Sequence, residues 1–250
     1  MPLLNNENYF TEEHYMSVSA YKRFLKCETD ALAPFGEMSD AMLIGSYIDS
    51  YVEGTVEQFK ENYPQIFSSR GATKGELKAD YKNADEICKF IDNDKVFSKF
   101  MSGDKQTIMV GEIAGVPFKI KIDSYSKGIA INDLKVMRTV TNNDGEYYDF
   151  ISQWGYDIQL ACYQEIVFQN TGEKLPCYIC AVTKEIPIDS VIINIPQETL
   201  DKVLYGVTLN IGRFYDVKTG KEKAERCEKC KTCRSTRTQT PIISLNQLQL

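Results

Sequence analysis

Two acids and a lysine on consecutive strand-like segments constrain this chain most. Asp123 lies near the end of segment 116–125, and Asp133-Leu134-Lys135 near the end of segment 128–136. The short turn Ser126-Lys127-Gly128 joins the segments, so a hairpin is expected. Alternate side chains of a strand share a face, so Asp133 and Lys135 project together while Leu134 points the other way. The run 128–132 is apolar on both faces apart from Asn132, the pattern of an interior strand. A carboxylate there is costly unless it is paired or bound to a cation. Oxygen ligands suit Mg²⁺ or Mn²⁺, and a neighbouring ammonium can orient a water or stabilise charge developing at phosphorus. The combination points to phosphodiester hydrolysis. On an exposed face, however, Asp-x-Lys usually forms only a surface ion pair, so the context must carry the argument.

In 118–123, Phe118, Ile120 and Ile122 share one face, and Lys119, Lys121 and Asp123 the other. Asp123 therefore need not lie in the core, and the sequence does not fix the register that would bring it to Asp133. Upstream, a helix is expected over 39–53, with Ile44, Ile48 and Val52 as its apolar stripe. Gly45, Asp49 and Glu53 form a second stripe at four-residue steps. This stripe is either a solvated acidic face or a face on which Gly45 permits close approach to the sheet and Asp49 contacts the metal or a water. Downstream, Tyr156, Gln159 and Tyr163 share one face of a helix expected over 148–168. A buried Gln between two Tyr must be hydrogen-bonded.

Further helices are expected over 17–32, 79–91 and 196–217, and further strands over 105–110, 177–183 and 190–195. Helices, a strand meander, another helix and two more strands give an α/β domain around a mixed sheet. The 250 residues suit a single domain. We divide it into a helical part (about 1–104), a catalytic core (about 105–217) and a cysteine-containing tail (about 218–250). No apolar run approaches the roughly 20 residues of a membrane span, and the first residues lack the features of a signal peptide. The expectation is a cytoplasmic protein without membrane contact. The net charge of −6 argues against a passive nucleic-acid coat but not against a nuclease with clustered acids. Residues 218–237 hold eight Lys/Arg and three Glu, a basic tail that can be a solvated segment or contact phosphate. The sole histidine, His14, is remote in sequence from these motifs, which disfavours histidine-centred catalysis.

Gly45-x-x-x-Asp49, Lys121-Ile122-Asp123, Asp133-Leu134-Lys135 and Gln159-x-x-x-Tyr163 occur in the order found in the PD-(D/E)XK nuclease superfamily. The chain resembles its RecB-like and RecE-like exonuclease branch from about residue 15 to 245. The resemblance implies a restriction-endonuclease-like core, a central mixed β-sheet flanked by helices. It also implies Asp123 and Asp133 as metal ligands with the Leu134 carbonyl, Lys135 as the catalytic lysine, and Gln159 and Tyr163 beside the site. Asp49 stands where many relatives carry His, and Glu112 is a further candidate carboxylate. The implied activity is Mg²⁺- or Mn²⁺-dependent exonucleolytic hydrolysis of linear, double-stranded DNA in phage-type recombination. A single-strand annealing recombination protein and a homo-oligomer are compatible partners. The competing readings are a non-catalytic nucleic-acid-binding or assembly protein retaining the fold, and a module centred on its cysteines.

Eight cysteines without an export signal read as thiols or metal ligands. Cys88 and Cys162 sit among apolar neighbours and read as core. In Cys227-x-x-Cys230-x-x-Cys233 three thiolates can converge on one soft metal centre. Cys177 and Cys180, three apart on a strand, face opposite sides and are set aside. Cys27 is the better fourth ligand. Some RecB-like nucleases similarly place one cysteine before the core and three after it to hold a [4Fe–4S] cluster. The resemblance thus implies such a cluster, with zinc as the alternative and three free tail thiols as the plain reading.

Overall fold

The computed structural model describes residues 4–34, 36, 38–242 and 244. The limit of the family resemblance at Leu245 and the ends of the expected domain lie outside the described residues. Five strands form one sheet in the order β1-β2-β3-β4-β5. They are β1 (Asp104–Ile113), β2 (Val116–Ser126), β3 (Ala130–Met137), β4 (Cys177–Thr183) and β5 (Ser190–Ile195). The first three form an antiparallel meander, β4 joins β3 in parallel, and β5 pairs antiparallel with β4. The parallel step needs a crossover, which α7 (Phe150–Trp154) and α8 (Tyr156–Thr171) supply.

Helices cover both faces. On one, α1 (Val18–Lys26), α8 and α9 (Gln197–Lys218) enclose Phe118, Ile120, Ile122, Ile131, Ile179 and Ala181. On the other, Leu134, Cys180 and Val182 meet α3 (Asp40–Val52), α5 (Ala79–Asn93) and α6 (Lys95–Phe100). The expected α/β architecture with a mixed central sheet is the one found. In α8, Leu160, Ala161, Cys162, Ile166 and Val167 are buried, as expected of a helix packed between the sheet and α9.

Three expectations need correction. The helix expected over 17–32 breaks at Cys27, whose backbone is extended, and resumes as α2 (Glu28–Ala31). The extended turn accompanies a thiol that lies 3.5 Å from Cys233. The helix expected over 148–168 breaks at Gly155, which is left-handed at φ 63°. Glycine reaches that region without the Cβ clash other residues incur, so it can both end α7 and begin α8. Finally, α4 (Val56–Asn62) and α6 were not anticipated. Both fall below the length at which periodicity is decisive.

Candidate active site and cysteine centre

The site forms where β2 and β3 part. Their pairing runs from Ser126–Ala130 to Ser124–Asn132 and goes no further. At the next position the Leu134 amide donates instead to the Asp123 carboxylate, Oδ2 at 2.9 Å. Strict alternation in β2 also fails here. Ile122 and Tyr125 both enter the larger core, while the Ser124 hydroxyl donates to the Phe100 carbonyl on the opposite face. This irregularity turns Asp123 toward Asp133, an outcome that the face assignment from sequence left open. Asp123 now accompanies Asp133 and Lys135, while Leu134 on the opposite face fills the second core.

Asp133 is fully buried. Its Oδ2 ion-pairs with Lys135 Nζ, and its Oδ1 accepts a hydrogen bond from Gln159 Nε2 at 2.6 Å. Gln159 also donates to the Tyr163 hydroxyl (3.1 Å), which itself donates to the Lys121 carbonyl (2.8 Å). The amide expected to need partners has them, and the chain of bonds fixes Asp133 from α8. Lys135 also donates to the Leu134 carbonyl at 3.2 Å and lies 4.9 Å from the Tyr156 ring centroid. Asp49 reaches the group from α3. It borders two cavities, one also lined by Asp123 and the other by Lys135.

Gly45 does not permit close approach to the sheet. Among the described residues a Cβ there would meet nothing within 4 Å, and the residue instead borders the second cavity. Glu112 is not part of the group. It is exposed at the opposite end of the β1–β2 hairpin, paired with Pro117 and bonded through its backbone to Gln169.

Electrostatics show what the group lacks. Burial pushes the Asp133 carboxyl up to about 7, against the pull of Lys135 and with the push of Asp123. Burial, then Asp123, hold Asp49 well above the ordinary carboxylate range. Burial alone would lower the Lys135 ammonium, but Asp133 and Asp123 hold it above its usual value. Three acids thus crowd one close ammonium, and among the described residues Asp133 Oδ2 has the Lys135 ion pair but no further hydrogen bond. A hard divalent cation relieves both conditions, so the residues fit one.

Three further residues escaped the sequence reading. Lys22 of α1 donates to the Trp154 carbonyl at 2.8 Å and lies 5.5 Å from the Tyr156 ring centroid. Burial, then Lys135, lower its ammonium to about 8. Tyr9 and Phe10 wall the first cavity. Their segment is held down by the buried Lys119, which donates to the carbonyls of Tyr9 and, at 2.7 Å, of Glu12. Nothing periodic marked these positions. The one available signal was that Trp154, the sole tryptophan, precedes a glycine.

The second centre joins the chain ends. The sulfurs of Cys27, Cys227, Cys230 and Cys233 all lie within 4.8 Å of one another. Amides of Cys230 and Lys229 donate to the Cys227 sulfur and lower its thiol to about 6. Cys230 rises to about 12: the Cys233 amide lowers it, but burial and the neighbouring thiols outweigh that. Cys177 and Cys180 are buried on opposite faces of β4, one in each core cluster. Cys88 and Cys162 are buried core residues. Of the basic tail, Lys221, Arg226 and Arg237 form ion pairs within the chain, and Lys218 donates to carbonyls of the N-terminal segment.

No curated protein matches the chain. A solved structure, of a "putative exonuclease" from Eubacterium rectale, is 45% identical with a TM-score of 0.88, over 98% of this chain and 97% of that one. Residues 17–236 match the family described as a PDDEXK-like domain of unknown function, DUF3799. The chain therefore belongs to that family and has the PD-(D/E)XK nuclease fold.

Proposed function

We propose that the protein is a metal-dependent deoxyribonuclease that removes nucleotides from the ends of linear DNA. The observation that carries this reading is the convergence of Asp123 and Asp133 beside Lys135, with Asp133 anchored by Gln159. Asp123, Asp133 and the Leu134 carbonyl would hold Mg²⁺ or Mn²⁺, with Asp49 as a further carboxylate. When bound, such an ion supplies charge neutralisation at the phosphate and an activated water.

The chain's own residues do the rest. Lys135, kept protonated by its acids, donates hydrogen bonds to the entering water or to a phosphate oxygen and stabilises the charge that grows there. Gln159 and Tyr163 are positioning residues: their bonds lock the Asp133 rotamer, so the ligand geometry needs no rearrangement. The test is incubation of end-labelled linear DNA and closed circular DNA with Mg²⁺ or Mn²⁺. Loss of the linear species alone, slowed by about 10²- to 10³-fold in Lys135→Ala, is the expected result. Intact linear DNA with the wild-type protein overturns the reading in favour of a non-catalytic binding protein. Action at DNA ends fits recombination of the phage type, with a strand-annealing protein as partner and oligomerisation as a route to processivity.

The four cysteines form a soft metal site. Their C-x-x-C-x-x-C spacing with a remote fourth cysteine suits an iron–sulfur cluster. Their close sulfur separations of 3.5, 3.8 and 3.9 Å instead approach the edge of a zinc tetrahedron, about 3.8 Å for Zn–S bonds of about 2.3 Å. Iron and zinc analysis of anaerobically purified protein, with its visible spectrum, separates the two.

A further inference from the structure

Two cavities flank α3 and meet at the reactive centre. The first, about 590 Å³, is lined by Phe10, Lys121 and Asp123; the second, about 560 Å³, by Lys135, Arg138, Trp154 and Lys184. Ser46 and Asp49 border both. The cavities therefore adjoin at Asp49, with Asp123 lining one and Lys135 the other. Gly45 borders the second, where a side chain would project into open space.

Each cavity carries an aromatic ring that the core does not claim. Phe10 is 80% exposed in the first and Trp154 is 52% exposed in the second. Cations line both cavities. Lys121 Nζ is 5.3 Å from the Phe10 ring centroid, and Lys135, Arg138 and Lys184 line the cavity that holds Trp154. Duplex DNA keeps its base faces inside the stack and meets proteins through phosphates and groove edges. Exposed rings near cations in a cleft serve unpaired bases, which stack on them whatever their sequence.

We propose that the two adjoining cavities act as one channel, in which Phe10 and Trp154 are stacking platforms, one on each side of the metal site, for bases of a single DNA strand. The proposal rests on the nuclease reading and refines its substrate. A duplex end must open, and only one strand crosses the site, its scissile phosphate lying between the two stacked bases.

Because Trp154 is the only tryptophan, its emission reports on stacking in the unmodified protein. The full chain is titrated in EDTA with an oligothymidylate, with an abasic oligomer of equal length and charge, and with a blunt duplex. The oligothymidylate is expected to quench the emission and to bind about tenfold more tightly than the abasic oligomer. The blunt duplex, whose end must first open, should quench the emission less than the oligothymidylate. By anisotropy, Phe10→Ala and Trp154→Ala should each weaken oligothymidylate binding about tenfold, and Trp154→Phe should restore most of the loss. Equal affinity for the abasic oligomer, unchanged emission with oligothymidylate, equal quenching by the duplex, or a Trp154→Ala variant of undiminished affinity overturns the proposal. Hydrolysis is not needed for this readout. Base-dependent binding without Mg²⁺- or Mn²⁺-dependent cleavage would overturn the nuclease reading alone. Cleavage sensitive to Lys135→Ala but without base-dependent binding would overturn the channel alone.

Discussion

Asp49 shows how much of this site is held against electrostatic resistance. Its carboxyl is raised by burial and by Asp123, and Asp133 is raised to about 7. A carboxyl whose folded pKa exceeds its unfolded value favours the folded state while protonated, and that contribution fades as pH rises through the folded pKa. Without divalent metal, both acids should make the protein less stable as pH climbs from about 4, the ordinary carboxylate range, to 7. Asp49→Asn should flatten that decline and raise the melting temperature in EDTA at neutral pH. With Mn²⁺ at about 100 times its dissociation constant the wild type should gain roughly 2.7 kcal/mol, and Asp49→Asn distinctly less. Calorimetry with and without Mn²⁺ measures both, and a variant less stable than wild type in EDTA would refute the argument. Lys135→Ala should reduce cleavage by about 10²- to 10³-fold, measured on end-labelled DNA. Asp133 and Lys135 were legible in sequence because a period of two is a strong constraint. Lys22 was not, because its contact, the Trp154 carbonyl, belongs to tertiary packing rather than to any local pattern.

Two elements owe their form to a single residue. At Gly155 the chain is left-handed, and an added Cβ would lie 3.1 Å from Lys22 Cδ and 3.3 Å from Ile158 Cδ1. Gly155→Ala should therefore cost about 1–2 kcal/mol from the backbone conformation alone. It should also lower turnover more than DNA binding, because the break sets the start of the helix that carries Tyr156, Gln159 and Tyr163. Denaturant melts and steady-state kinetics test the two effects. A variant with wild-type turnover would show that the break is not needed to aim α8. Sequence reading placed β4 and β5 with the bounds observed, since their β-branched runs are bounded by proline and polar turns. It missed the breaks at Cys27 and Gly155 because apolar periodicity continues across both, masking the extended backbone at one and the left-handed glycine at the other. The departure of Asp123 from strict alternation was equally invisible. The irregularity depends on the partner strand, where Gln106, opposite Asp123 in an otherwise unbroken register, has a positive φ.

Over the whole molecule, the cysteine centre ties the start of the chain to its end. Cys27 and Cys227 are 200 positions apart, and polar contacts reinforce the same junction. Arg213 donates two hydrogen bonds to Glu28, the Glu225 amide donates to Glu28, and Thr232 donates to Asp30. A link closing so long a loop restrains the unfolded chain, by about 5 kcal/mol on the loop-entropy account of covalent cross-links. That figure applies to a metal centre only while Cys27 stays ligated in the unfolded chain; where it is released on unfolding, the centre instead contributes its binding free energy. Cys230→Ser should therefore lose the bound metal and lower the melting temperature by several degrees. Protease should then reach the segment after α9, which packs against α1 and α2 through this junction alone among the contacts named. The nuclease centre shares no residue with the cysteines, so DNA cleavage at low temperature should survive in Cys230→Ser while heat inactivation comes sooner. Cys177→Ser, in the core but outside the cluster, should keep full metal content and separates loss of the metal from loss of a buried thiol. Metal analysis, limited proteolysis and residual activity after heating form one experiment. Unchanged proteolysis and melting in metal-free Cys230→Ser would mean that the polar contacts alone hold the two ends together.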